Sequence, residues 1–125
     1  MYMTFLYVAL GGAIGASARL ATGMALMRAF GAGFPVATLS INVIGSFLMG
    51  AVVSYGTARD IGVLQPLVMV GILGGFTTFS AFSLDAVRLL ERGQYWEMGA
   101  YMVLSVVLSV AALIAGMALI KVIYS

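Results

Sequence analysis

This chain predicts an all-α integral membrane protein of four transmembrane helices, on three observations. Hydrophobic residues make up 63% of its 125 positions and charged residues only 8%, whereas a soluble domain of this size needs far more charge to cover its surface. The few charges divide the chain into uncharged runs long enough to cross a bilayer, which takes about 20 helical residues. The connections at 28–35, 58–63 and 91–96 are too short to form domains. The expected spans are therefore 3–27, 36–57, 64–90 and 97–121, in one transmembrane domain covering 1–125.

The first span opens on the uncharged stretch 2–18, is interrupted by Arg19 and stays apolar to Met27. No basic side chain precedes its apolar run, so it is expected to be a span rather than a cleaved leader. The second lies within 30 uncharged residues, 29–58, after the turn-like Gly31-Ala32-Gly33-Phe34-Pro35. The third begins in 61–84, which is 24 residues without a charged side chain, and should continue as helix to about Leu90. Its centre reads Gly74-Gly75-Phe76-Thr77-Thr78-Phe79-Ser80-Ala81-Phe82-Ser83. Adjacent glycines weaken a helix, and hydroxyls compete for its backbone bonds. In hydrocarbon a freed carbonyl or N–H must find another partner, so a broken helix survives only where it is buried in protein or lines a wet cavity. This segment is expected to be a broken helix and to mark the functional site. The fourth span lies in the uncharged run 98–120. Tyr2, Tyr7, Tyr55, Tyr95, Trp96 and Tyr124 fall near span ends, as an interfacial aromatic belt requires.

Composition narrows the chemistry. There is no cysteine and no histidine, which removes disulfides, thiolate chemistry and the usual general base and metal ligand. The four carboxylates, Asp60, Asp85, Glu91 and Glu97, stand at or near the ends of apolar runs. Paired-carboxylate catalysis is not expected, and the chain does not read as an enzyme. A net charge of +2 gives no footprint for nucleic acid.

With four spans, both termini share one side of the membrane with Arg59 and Lys121, while Arg28, Arg88 and Arg92 occupy the other. Adding the N-terminal amine gives three positive charges on each side. Orientation follows lysine and arginine asymmetry, and here almost none exists. Either the chain inserts both ways and pairs with an inverted copy, or loop length and insertion order settle a weak bias; the balance favours inverted pairing. Four helices pack side by side around their own side chains, so any pathway is expected where two subunits meet. Gly11 and Gly15, Ser46 and Gly50, and Gly71 and Gly75 have the four-residue spacing of close helix contact. Spacing does not say whether those contacts lie within or between subunits.

The polar residues inside the spans each carry two readings. Thr38, Asn42 and Gly45 share a face of the second helix, and Asn42 is either hydrogen-bonding glue between helices or an ion ligand. Tyr101, Ser105 and Ser109 form a hydroxyl stripe about 12 Å long, which is either bonded to its own backbone or lines a narrow wet track. Phe79 and Phe82 share a face, where they either pack or turn their positive ring edges to an anion. Arg19, the one charge well inside a span, either snorkels or lines an anion-attracting vestibule. The span centres hold no carboxylate, which argues against proton-coupled transport and for passive conduction.

These motifs together resemble the CrcB/Fluc family of fluoride channels over essentially the full chain. They are Gly11-Gly12-x-x-Gly15-Ala16-x-x-Arg19, then Thr38-Leu39-Ser40-Ile41-Asn42-x-x-Gly45-Ser46-Phe47-x-x-Gly50, then Gly74-Gly75-x-Thr77-Thr78-Phe79-Ser80-x-Phe82-Ser83. Glu91-Arg92-Gly93-x-Tyr95 and the Tyr101, Ser105, Ser109 stripe complete the set. The resemblance implies a dual-topology homodimer of inverted subunits in the inner membrane, with two narrow pores that passively release cytoplasmic fluoride. It implies Asn42 as the pore amide, Phe79 and Phe82 as rings whose edges meet fluoride, and Tyr101, Ser105, Ser109 and Thr38 as the polar track. It further implies Arg19 in the vestibule, and a structural sodium ion at the dimer interface on the backbone carbonyls of Gly74 and Thr77. Three positions depart from the pattern: Ala81 replaces a threonine, which would remove a hydroxyl near the rings, Leu20 an aromatic, and Ala37 a glycine. Two other readings remain at this level: a small dual-topology multidrug antiporter, whose expected first-span carboxylate is missing, and a non-conducting assembly subunit.

Overall fold

The computed structural model describes residues 1–124. Helix α1 spans Tyr2–Phe30 and α2 spans Val36–Ala58. Helix α3 runs as a π-helix over Gln65–Leu73 and as an α-helix over Gly74–Phe76; α4 spans Phe79–Glu91 and α5 spans Tyr95–Ile123. Four stretches are long and apolar enough to cross a membrane: α1, α2, α3 with α4 (Gln65–Glu91), and α5. The helices run one to three residues past most of the expected ends, because backbone geometry rather than hydrophobicity stops them. Gly31 takes φ +76° and donates its N–H to the Met27 carbonyl at 2.8 Å, closing α1. Gly93 takes φ +74° after α4, where the Gln94 N–H reaches back to the Leu89 carbonyl at 2.9 Å. Both are left-handed backbone positions that glycine adopts without a Cβ penalty.

Glycines set the packing. The close four-residue pairs of α1 and α3 meet each other within one subunit. A Cβ on Gly11 would overlap the Leu67 carbonyl, one on Gly15 the Ile72 carbonyl, and one on Gly75 would lie 2.9 Å from the Gly12 carbonyl oxygen. The α2 and α5 pair is the most extensive in the molecule and closes the same way: Gly50 lies against the Leu113 backbone and Gly116 against that of Phe47. Such backbone contact is how membrane helices associate where lipid offers no hydrophobic drive. A cluster of buried side chains, Phe82, Ala86, Leu89 and Tyr101, sits between α4 and α5, with Phe34, Leu39 and Met98 packed against it. Elsewhere large apolar side chains face outward, as Val103, Val107 and Ile114 do along α5. That is the expected surface of a helix whose solvent is lipid.

Candidate functional site: two extended threonines between α3 and α4

Between α3 and α4 the backbone extends at two residues, Thr77 (φ −81°, ψ 156°) and Thr78 (φ −152°, ψ 121°). The approach is already loosened: the Gly74 N–H is shared between the carbonyls of Gly71 and Met69, marking the passage from π to α winding. Thr77 doubles back, giving both its N–H and its Oγ1 to the Leu73 carbonyl at 3.0 Å. Thr78 caps α4, its Oγ1 accepting from the Ala81 N–H at 3.1 Å and lying 3.2 Å from Ser80 Oγ. That cap satisfies one of the donors a helix start leaves open.

The neighbouring helices supply what the interrupted ladder lacks. Asn42 on α2 uses both ends of its amide on Thr78: Oδ1 accepts the Thr78 N–H at 2.8 Å, and Nδ2 donates to the Thr78 carbonyl at 3.0 Å. Arg19 on α1 donates from Nε to the Gly75 carbonyl at 3.1 Å. Gly45 on α2, one turn from Asn42, leaves the space that the Thr77 methyl fills. Sequence reasoning left Asn42 between glue and ligand, and Arg19 between snorkelling and a vestibule. In the structure both side chains bond the backbone beside the extended pair, and Asn42 Nδ2 keeps a second hydrogen for another acceptor.

A groove of about 360 Å³ runs from this point along α5. It brings together Asn42, Thr77, Thr78, Phe79 and Phe82 with Ser105 and Ser109. The rings of Phe79 and Phe82 lie 5.3 Å apart at 48°, and Phe82 continues to Tyr101 at 5.2 Å. The edge of Phe34 meets Tyr101 at 5.7 Å. Phe79 is 76% exposed. Ser105 Oγ is buried and borders the Tyr101 hydroxyl.

Of the sequence-predicted residues, Tyr101, Thr38, Arg19 and Gly74 stand outside the lining of this groove. Tyr101 is fully buried; its hydroxyl donates to Asp85 Oδ2 at 3.2 Å, with Thr38 and Ser105 beside it. Thr38 lines a cavity of about 210 Å³ with Asp85, Arg88 and Arg92, and another of about 510 Å³ with Arg19, Thr78 and Ala81. Ala81 thus faces the Arg19 side, and the hydroxyl absent there would not have entered the groove of Phe79 and Phe82. Asp85 is the residue that sequence reasoning passed over. It ends the third uncharged run, but lies three residues beyond Phe82 on the same face, and that spacing was the available signal. Phe34, placed in a turn by its glycine neighbours, gave no such signal.

Among the described residues no three His, Cys, Asp or Glu side chains gather into a metal cluster. Backbone oxygens are the available cation donors. The carbonyls of Gly74 and Thr77 receive no hydrogen bond among the described residues, because the Thr78 N–H goes to Asn42 and the Ala81 N–H to Thr78 Oγ1. Free carbonyls of this kind are suitable ligands for a hard cation.

Fold and site define a small multi-pass membrane protein with a largely apolar groove, edged by one amide and a few hydroxyls, beside the two extended residues between α3 and α4. The family model described as CrcB-like protein, Camphor Resistance (CrcB), matches residues 6–117. A relative in Ruegeria sp. (strain TM1040), named fluoride-specific ion channel FluC, is 55% identical over 94% of each chain. One of the same name in Cereibacter sphaeroides is 56% identical over 97% of each. One in Nitrobacter hamburgensis, fluoride-specific ion channel FluC 2, is 48% identical over 95% of this chain and 98% of its own. The chain belongs to the CrcB family, as its motifs indicated, and that family is one of ion channels rather than enzymes. With bacterial relatives and four apolar spans, it is a multi-pass protein of the inner membrane.

Proposed function

We propose that the protein is a fluoride-selective channel that lets fluoride leave the cytoplasm passively, working as a homodimer of inverted subunits with two pores. The observation that carries this reading is the groove in which Asn42, Phe79, Phe82, Ser105 and Ser109 converge beside the extended pair Thr77 and Thr78. Fluoride is small and strongly hydrated, so its passage needs donors and positive edges in close succession. The second Nδ2 hydrogen of Asn42, the Ser105 and Ser109 hydroxyls and the phenyl ring edges provide such a succession. The Tyr101 ring edge and the Thr38 hydroxyl continue it towards the cavity bordered by Asp85, Arg88 and Arg92, where two arginines outnumber one carboxylate and favour anions over cations. Asp85 holds the Tyr101 hydroxyl and thereby fixes the ring at the end of the stripe.

Phe79 supports the dimer. A large ring open to its surroundings beside the Asn42 amide and the groove's hydroxyls is completed by a second copy better than by lipid. The even distribution of positive charge supports the inverted arrangement of that copy. A broken third span is the form this function requires, since it gives up backbone groups that two subunits can share. The free carbonyls of Gly74 and Thr77 fit a structural sodium ion at the dimer axis. When bound, the ion would supply the positive charge that these carbonyl oxygens otherwise lack.

Two experiments test this reading. Bacteria made fluoride-sensitive by loss of their own exporter should grow in fluoride when they express this chain, and no protection would count against it. Reporter fusions at the C-terminus should signal from both sides of the membrane; signal from one side alone would rule out inverted pairing.

A further inference from the structure

We propose that Asn42 is a positioning residue for the cation site as well as a lining residue of the anion path, so that one amide couples the two. The inference rests on the sodium reading above. In an uninterrupted helix the Thr78 N–H would bond the carbonyl four residues back, that of Gly74. Here it bonds Asn42 Oδ1 at 2.8 Å, and the Gly74 carbonyl is left without a donor. The same bond from the Thr78 N–H fixes the peptide unit that carries the Thr77 carbonyl, while the other half of the amide holds the Thr78 carbonyl, in the next peptide unit, at 3.0 Å. Asn42 thus takes the donor that would otherwise consume a cation ligand. In a dry helix bundle a Thr78 N–H released from Asn42 has the Gly74 carbonyl as its nearest substitute. Recapture winds the helix forward and withdraws that oxygen from the cation.

Substitutions separate the functions of the amide. Asn42→Ala removes both bonds to Thr78 and permits recapture. Asn42→Asp keeps an acceptor for the Thr78 N–H but has no donor for the Thr78 carbonyl or for an anion. The measurement is the thermal unfolding temperature of purified protein in detergent as sodium replaces N-methylglucamine at constant ionic strength. A ligand that binds only the folded dimer raises that temperature with its concentration. Wild-type protein is expected to show a saturable rise. For Asn42→Ala the half-saturating sodium concentration should increase about tenfold, the equivalent of one lost charge-bearing contact. For Asn42→Asp it should stay within about twofold of wild type while fluoride flux is lost. Phe79→Ile, which alters only the groove, should leave it unchanged.

General destabilisation would lower the unfolding temperature at every sodium concentration without moving the half-saturation point, and that outcome for Asn42→Ala would overturn the proposal. Should Asn42→Ala fail to fold, Asn42→Ser decides: its shorter side chain no longer reaches the Thr78 N–H, so a half-saturating sodium concentration raised about tenfold supports the coupling and an unmoved one overturns it. If wild-type protein shows no sodium response at all, the sodium reading fails and the coupling falls with it, a result distinct from an unmoved half-saturation point.

Discussion

Helix α5 and the stretch Gln65–Glu91 cross the membrane over nearly the same length, 29 and 27 residues, and they solve the backbone problem differently. Along α5 the helical ladder runs unbroken from Tyr95 to Ile123, and its only demand on a neighbour is space, met where Gly116 touches the α2 backbone. The other stretch changes from π to α winding and then extends at Thr77 and Thr78. It must borrow hydrogen bonds from Arg19 and Asn42 on two other helices. The polar side chains of the molecule gather beside the stretch that borrows, and the serines of α5 face it. Regular spans build the frame, while the interrupted one leaves backbone and hydroxyl groups with capacity for an ion.

The contrast can be broken from either side. The largest effect is expected in the frame: Gly116→Leu would drive a side chain into the Phe47 backbone, costing about 3 kcal/mol or more, and should abolish the folded protein's peak in size-exclusion chromatography. At the interruption, Asn42→Asp should leave a folded protein whose fluoride flux from liposomes falls by well over about tenfold, since a carboxylate faces the path where an amide donor stood. Phe79→Ile should slow the flux by about tenfold by replacing a positive ring edge with an alkyl group. Arg19→Ala should lower stability by about 2 kcal/mol in thermal unfolding, through the loss of a charge-assisted bond to the Gly75 carbonyl. The smallest change belongs to Ala81→Thr. Its hydroxyl would enter the Arg19 cavity, so fluoride flux should remain within about twofold of wild type; a large gain would mean that position 81 borders the path.

Much of this was legible in the residues. Long uncharged runs fixed the number of spans, because hydrocarbon tolerates few alternatives to helix. The glycine and hydroxyl cluster at 74–83 pointed to the site, and the stripe of Tyr101, Ser105 and Ser109 lies where its helical spacing put it, along the face of α5 turned to α4. What stayed hidden was partnership. Periodicity gives the face of a side chain but not the atom it meets, so neither Asn42 on Thr78 nor Arg19 on Gly75 was visible. Asp85 looked like the end of a run because linear charge maps ignore the helical turn that brings it under the Tyr101 hydroxyl. The small-residue pairs showed close packing, but only three-dimensional contact showed that α1 and α3 use theirs on each other.

The most direct test of the central claim is a fluoride-electrode recording from liposomes that hold the purified wild-type protein and equal concentrations of fluoride and chloride. The account predicts rapid fluoride release on addition of a potassium ionophore, with chloride retained. Release of both halides at similar rates, or of neither, would contradict it.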